Sequence, residues 1–155
     1  MQSAISQPHI QLASELDAAR ALRDCLVQER ECLIRAEIAT LTELATRKTA
    51  LVEEMNALAA ARALALAALG QTVNAAGMAA WLDTQAQGER DAWRELLALA
   101  EEGRELNRVN GLLIHGHIGR NGAALQVLRG GGQTAVYGRN GQQAVASSGR
   151  AIVAG

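Results

Sequence analysis

The sequence predicts an all-α protein: an antiparallel bundle of about three long helices followed by a flexible Gly-rich C-terminal tail. Three observations carry this. Apolar residues recur at steps of three and four along three long segments, the period of one helical face. Neither Pro nor Gly occurs between Ile10 and Leu69. Phe is absent and the only aromatics are Trp81, Trp93 and Tyr137, so the core must come from Leu, Ile, Val, Met and Ala. Such a stock suits helices packed side by side more than a sheet of aromatic and β-branched residues. The expected division is a helical bundle over 1–129 and a tail over 130–155, a size ordinary for one domain.

The first helix is expected from Pro8 to about Arg35. Ser6 can cap it and Pro8 is tolerated in a first turn. Leu12, Leu16, Ala19, Leu22, Leu26 and Leu33 mark its apolar stripe. Read literally, Ile10 to Leu69 is one helix of roughly 90 Å at ~1.5 Å per residue, yet a solitary helix cannot bury its own stripe. A break between Arg35 and Thr40 is therefore expected, with Thr40-x-x-Glu43 as a capping box for a second helix from Thr40 to Leu69. Leu41, Leu44, Leu51, Met55, Leu58, Ala65 and Leu69 form its stripe, interrupted at Lys48 and Arg62, and Gly70 ends it. The two interruptions read as snorkelling side chains whose stems cover the seam and whose heads reach water.

Gly70 to Gly88 is a connector long enough to need structure of its own. A short helix over Met78 to Leu82 fits there, with Trp81 tucked under the bundle. The third long helix is expected from Glu89 to Arg129. From Gly130 onward Gly recurs and Pro, Asp and Glu are absent. That composition offers little apolar surface against the entropy of ordering, so the tail reads as flexible, with an Asn140-Gly141 hairpin ranked second.

Several functions are disfavoured. The 15 basic and 16 acidic residues nearly cancel, to a net charge of -1, unlike the basic surface of most nucleic-acid binders. The Ala-rich run from Ala57 to Leu69 is far short of the ~20 residues of a membrane span, so no membrane insertion is expected. No basic cluster followed by an apolar run opens the chain, so no secretory leader is expected and the protein reads as cytoplasmic. Cys25 and Cys32 would lie ~10 Å apart along one helix, beyond disulfide reach, and read as two buried thiols. His115 and His117, two apart, point to different sides of a helix and cannot share a metal. Gly130-Gly131-Gly132 lacks the Lys and Ser/Thr of a phosphate loop. Glu53-Glu54 and Glu101-Glu102 read as solvated faces. The residues thus call for no cofactor, no metal and no catalytic role.

The stretch from Arg104 to Leu128 is unusual. Leu106, Val109 and Leu113 form one apolar face. Asn107, Asn110, Ile114, His117 and Asn121 follow the same rhythm on an adjoining stripe. Asn and Gly are poor helix formers, Gly by about 1 kcal/mol against Ala. Two readings fit: a polar seam that fixes how this helix pairs with its neighbours, or a face kept small and polar so that another protein's backbone can approach.

The run Leu106-Asn107-x-x-Asn110-Gly111-x-Leu113-Ile114, continuing through Arg120, Leu125 and Leu128 into Tyr137-Gly138-x-x-Gly141, resembles the last long helix and following segment of FlgN-type flagellar export chaperones. Leu26-x-x-Glu29-x-x-Cys32-Leu33, Leu41-x-x-Leu44-x-x-x-Lys48-x-x-Leu51 and Leu58-x-x-x-Arg62 resemble the front of that family, in which Lys and Arg recur at matching places. The resemblance covers roughly Ile10 to Arg150. It implies a cytoplasmic type III export chaperone for the hook-filament junction proteins FlgK and FlgL, which binds their C-terminal helical region, prevents early assembly and delivers them to the export gate protein FlhA. Leu106, Asn107, Asn110, Leu113, Ile114, Ile118, Asn121, Leu125 and Leu128 are then the expected client-binding residues, and Tyr137 the expected gate-binding residue. The alternative is a structural helical bundle that associates with itself as a homo-oligomer.

Overall fold

The computed structural model describes residues 9–129, and every regular element there is an α-helix: α1, Leu12–Arg35; α2, Ile38–Ala68; α3, Ala75–Asp83; and α4, Gln87–Arg129. Three helices are long and the fourth is the short one foreseen in the connector, extended back to Ala75. The expectations for Ser6, Pro8, the tail hairpin and Tyr137 lie outside the described residues. The chain divides into two units between Ile114 and His115, inside α4. The division expected at residue 130 falls at the edge of the described residues.

The helix ends show what local chemistry controls. α1 begins at Leu12, not at Pro8: residues 9–11 are not helical, and Gln11 at the cap makes no side-chain capping bond. The break after α1 falls in the expected interval, but the capping box is not what makes it. α2 already runs through Thr40, starting at Ile38 with Glu37 as its uncapped boundary. The break is made from the other side, by Ala36, which adopts a left-handed conformation with φ 57°. Ala36 N–H donates to Leu33 O at 3.3 Å and Glu37 N–H to Cys32 O at 3.0 Å, the paired bonds of a Schellman C-cap. α2 closes the same way: Gly70 N–H donates to Ala67 O and Gln71 N–H to Leu66 O, both at 3.0 Å, with Gly70 at φ 77°. Asn74 caps α3, its Oδ1 accepting from Gly77 N–H at 2.9 Å. A Cβ on Gly77 would lie 1.7 Å from Thr72 O, so only Gly permits that turn.

Within Met1–Ile114, α1 and α2 form the closest pair. One apolar cluster draws on all four helices, including Leu12, Leu16, Leu66, Met78, Leu82, Leu96 and Leu99, with Trp81 and Trp93 packed against it. A second cluster belongs to α1 and α2 alone: Cys25, Cys32 and Leu44, flanked by Leu41 and Leu51. Both cysteines are free and buried. Burial pushes the Cys25 thiol above its ordinary range, and that of Cys32 likewise, with Glu37 adding to the latter. The Cys25 thiol donates to Leu44 O at 3.6 Å.

Lys48 and Arg62 do not snorkel. Arg62 Nε lies 2.8 Å from Glu15 Oε1, and Lys48 Nζ lies 2.8 Å from Glu29 Oε2 and 3.1 Å from Oε1. Both carboxylates are buried inside the α1–α2 seam. A buried carboxylate needs a cation more than a surface cation needs water, so the heads turn inward. The guanidinium of Arg62 also stacks on Trp93, 4.8 Å from the ring centroid, which ties α4 to the hairpin.

Candidate partner-binding surface on α4

α4 begins as a core helix. Its Leu96, Leu99 and Leu106 are buried, and Trp93 packs against Arg62. Asn110 is also inside: 1% exposed, it donates from Nδ2 to Leu26 O of α1 at 2.9 Å, while its buried Oδ1 has no hydrogen-bond partner. The polar-seam reading therefore holds at Asn110, where an amide fixes the register of α4 on α1. Of the expected client residues, Leu106 and Asn110 are spent within the bundle and present no surface to a partner. They lie on the line that follows Leu96 and Leu99 around the helix, the line that α4 turns into the bundle.

The remaining residues are placed differently. Asn107 is exposed, Leu113 half-buried and Ile114 exposed within the first unit. In the second unit Ile118, Asn121, Leu125 and Leu128 are all exposed, with Ile118 at 63%, Leu125 at 54% and Leu128 at 79%. At about 100° per residue, these four share a stripe roughly 80° wide. Their steps of three, four and three make it a heptad seam with Asn121 inside it.

The charges along α4 also change. Arg94 pairs with Asp91 at 3.1 Å and Arg108 with Glu105 at 2.7 Å, each three residues back on the same helix, and Arg104 pairs likewise with Glu101. Arg108 holds the Glu105 carboxyl below its usual range. Beyond Glu105 the sequence contains no Asp or Glu. Arg120 and Arg129 have His117 and Gln126 three residues back, and no carboxylate pairs with them among the described residues.

The first unit holds a further concave surface that sequence reading missed. A cavity of 510 Å³ has Leu22 and Leu26 of α1, Val52 and Met55 of α2, and Leu99 and Gly103 of α4 among its walls, with Asn107 at its margin. The signal for it was the small pair Ala100 and Gly103, which leaves room against Leu26. The buried Glu15–Arg62 and Glu29–Lys48 pairs were also missed as pairs. Their signal was that the α1 stripe passes over Glu29 between Leu26 and Leu33, as the α2 stripe passes over Lys48 and Arg62.

Among the described residues no three His, Cys, Asp or Glu side chains gather as a metal site would need, and no helix is long and apolar enough to cross a membrane. The described residues define an all-helical protein: a hairpin pinned by two buried ion pairs in the first unit, and an exposed apolar stripe on α4 in the second. The FlgN family model, described as FlgN protein, matches residues 1–144, and the chain belongs to that family. The flagella synthesis protein FlgN of Proteus mirabilis is 39% identical over 64 residues, a match covering 39% of this chain and 44% of that protein. The chain thus spans less than half the length of this curated relative. No solved structure matches the chain.

Proposed function

We propose that this protein is a cytoplasmic type III flagellar export chaperone. It binds the C-terminal helical region of the hook-filament junction proteins FlgK and FlgL, keeps them from assembling early and delivers them to the export gate. The observation that carries this reading is the stripe on α4, where Ile118, Leu125 and Leu128 are exposed. An amphipathic client helix laid along such a stripe buries it as helix-in-groove partners do. Asn121 in the same stripe supplies a further contact, its amide setting register; Asn107, Leu113 and Ile114 of the first unit form a separate set of proposed contacts. Membership of the FlgN family supports the flagellar setting. Nothing in the reading calls for catalysis.

The test is the double substitution Ile118→Asp with Leu125→Asp, checked first by circular dichroism for retained helicity. Loss of buried apolar anchors is expected to weaken client binding by about 2 kcal/mol or more. Unchanged binding of junction proteins by the folded variant removes the stripe from the site. The same stripe could instead meet a second copy, as in a self-associating structural bundle. Sedimentation of the client-free chain separates the two: a dimer abolished by the double substitution, with no junction protein recovered from native extract, favours self-association.

Tyr137 is assigned to the docking of FlhA. It lies outside the described residues, and its assignment rests on the Tyr137-Gly138-x-x-Gly141 match and on the suitability of a rigid aromatic anchor in a Gly-rich segment. Tyr137→Ala is expected to leave client affinity intact and weaken FlhA binding in calorimetry with client present. Equal FlhA binding by variant and parent refutes the assignment.

A further inference from the structure

We propose that the His115–Arg129 face of α4 selects an acidic partner: an amphipathic helix whose apolar seam is flanked by carboxylates. This rests on the reading of α4 as the client-binding helix and specifies the chemistry of the client segment. Two independent observations carry it. The first is the exposed seam of Ile118, Asn121, Leu125 and Leu128. The second is charge. Every one of the 16 acidic residues precedes residue 106, and from there to the end the only charged side chains, His apart, are arginines. Upstream on the same helix, Arg94, Arg104 and Arg108 are each paired with a carboxylate three residues back, and Arg90, which has Gln87 there instead, is flanked by Glu89 and Asp91. Arg120 and Arg129 have no such carboxylate, and at about 100° per residue they border the apolar stripe on opposite sides. Cations that meet no carboxylate among the described residues, beside an exposed seam, are complementary to carboxylates at the flanking positions of a second helix, the arrangement that sets partner choice in paired helices.

The stripe favours a helix over a lipid surface. It is narrow, it carries Asn121 among its apolar residues, and α4 has no aromatic residue beyond Trp93. An amide driven among acyl chains would find no hydrogen-bond partner, and interfacial helices carry a broad apolar face with aromatic anchors. A protein helix can offer Asn121 a polar side chain in return.

The test uses the full chain and two four-heptad synthetic helices with identical Leu seams, one flanked by Glu and one by Lys, each kept monomeric by like-charge repulsion. The Glu-flanked peptide is expected to bind at least about tenfold tighter at low salt, with the advantage shrinking as salt rises. Arg120→Glu with Arg129→Glu is expected to reverse the preference. Equal binding of the two peptides, or a preference indifferent to the charge reversal, overturns the proposal. So does binding to phosphatidylglycerol-containing vesicles with neither peptide bound, which would make the face a lipid contact. Junction proteins are measured beside the peptides. Full-affinity retention of them by the charge-reversed chain defeats the acidic-partner inference and leaves the chaperone reading intact. Their failure to bind the parent chain defeats the chaperone reading itself.

Discussion

In the α1–α2 hairpin the carboxylates of Glu15 and Glu29 are 3% and 6% exposed, each met by a cation from the opposite helix, whereas in His115–Arg129 Ile118, Leu125 and Leu128 are exposed and, among the described residues, Arg120 and Arg129 meet no carboxylate. The two buried pairs also share one register: fourteen residues up α1 from Glu15 to Glu29 match fourteen residues down α2 from Arg62 to Lys48. Two heptads separate the pairs on each helix, so any slip of α2 along α1 would strand both carboxylates at once. A region built this way resists change. A region exposed like the end of α4 tolerates substitution at little cost to the fold.

Breaking one buried pair should produce the largest effect. Glu15→Ala leaves Arg62 unpaired in the seam and Arg62→Ala leaves Glu15 so, and either is expected to cost about 3–5 kcal/mol in urea denaturation. Replacing both partners, Glu15→Met with Arg62→Leu, should recover most of that loss. If the single substitutions cost no more than a typical surface change, the hairpin is not pinned as described.

The next contrast lies within α4. Leu106→Ala is expected to destabilise by about 2–5 kcal/mol, because it opens a cavity in a packed core. Asn110→Ala should cost about 1–3 kcal/mol through the lost bond to Leu26 O. Leu125→Ala should stay within about 0.5 kcal/mol, as exposed sites do. Equal losses at Leu106 and Leu125 would mean that the end of α4 is sheathed in the free protein.

A smaller effect is expected where the two long hairpin helices end. They use the same Schellman cap, with Ala36 in one and Gly70 in the other. A left-handed Ala carries about 1–2 kcal/mol of strain that Gly avoids. Ala36→Gly should therefore raise stability by about 1 kcal/mol and Gly70→Ala should lower it by a similar amount, read as opposite shifts in urea midpoint.

The smallest effect is a pH dependence confined to the hairpin. Burial, aided by Glu29 and opposed by Arg47 and Lys48, holds the Cys25 thiol above its ordinary range in the folded chain. As pH rises, the unfolded chain loses this proton first. The contribution is therefore complete below the ordinary thiol range and declines as pH climbs through it toward the folded value. Cys25→Ala should flatten the alkaline limb of stability against pH. An unchanged limb would assign that slope to other groups.

The sequence by itself determined the helices, because the three-four spacing of Leu and Ala and the Gly at position 70 act within a turn or two of the chain. It also marked α4 as unusual through its Asn and Gly. Tertiary structure alone decided where the charges went. Glu29 sits at a gap in the α1 stripe and Lys48 at a gap in the α2 stripe. Seen singly, each interruption is a polar residue on an apolar face, and only the register of two antiparallel helices turns them into a pair. The break at Ala36 has the same origin: no residue there demands a left-handed turn, so packing of α2 against α1 must supply the energy that Gly70 does not need. Asn107 and Asn110 are alike in kind and one turn apart, yet one meets solvent and the other Leu26 O. Periodicity defines the faces of a helix, but which face is consumed depends on what the rest of the chain brings against it.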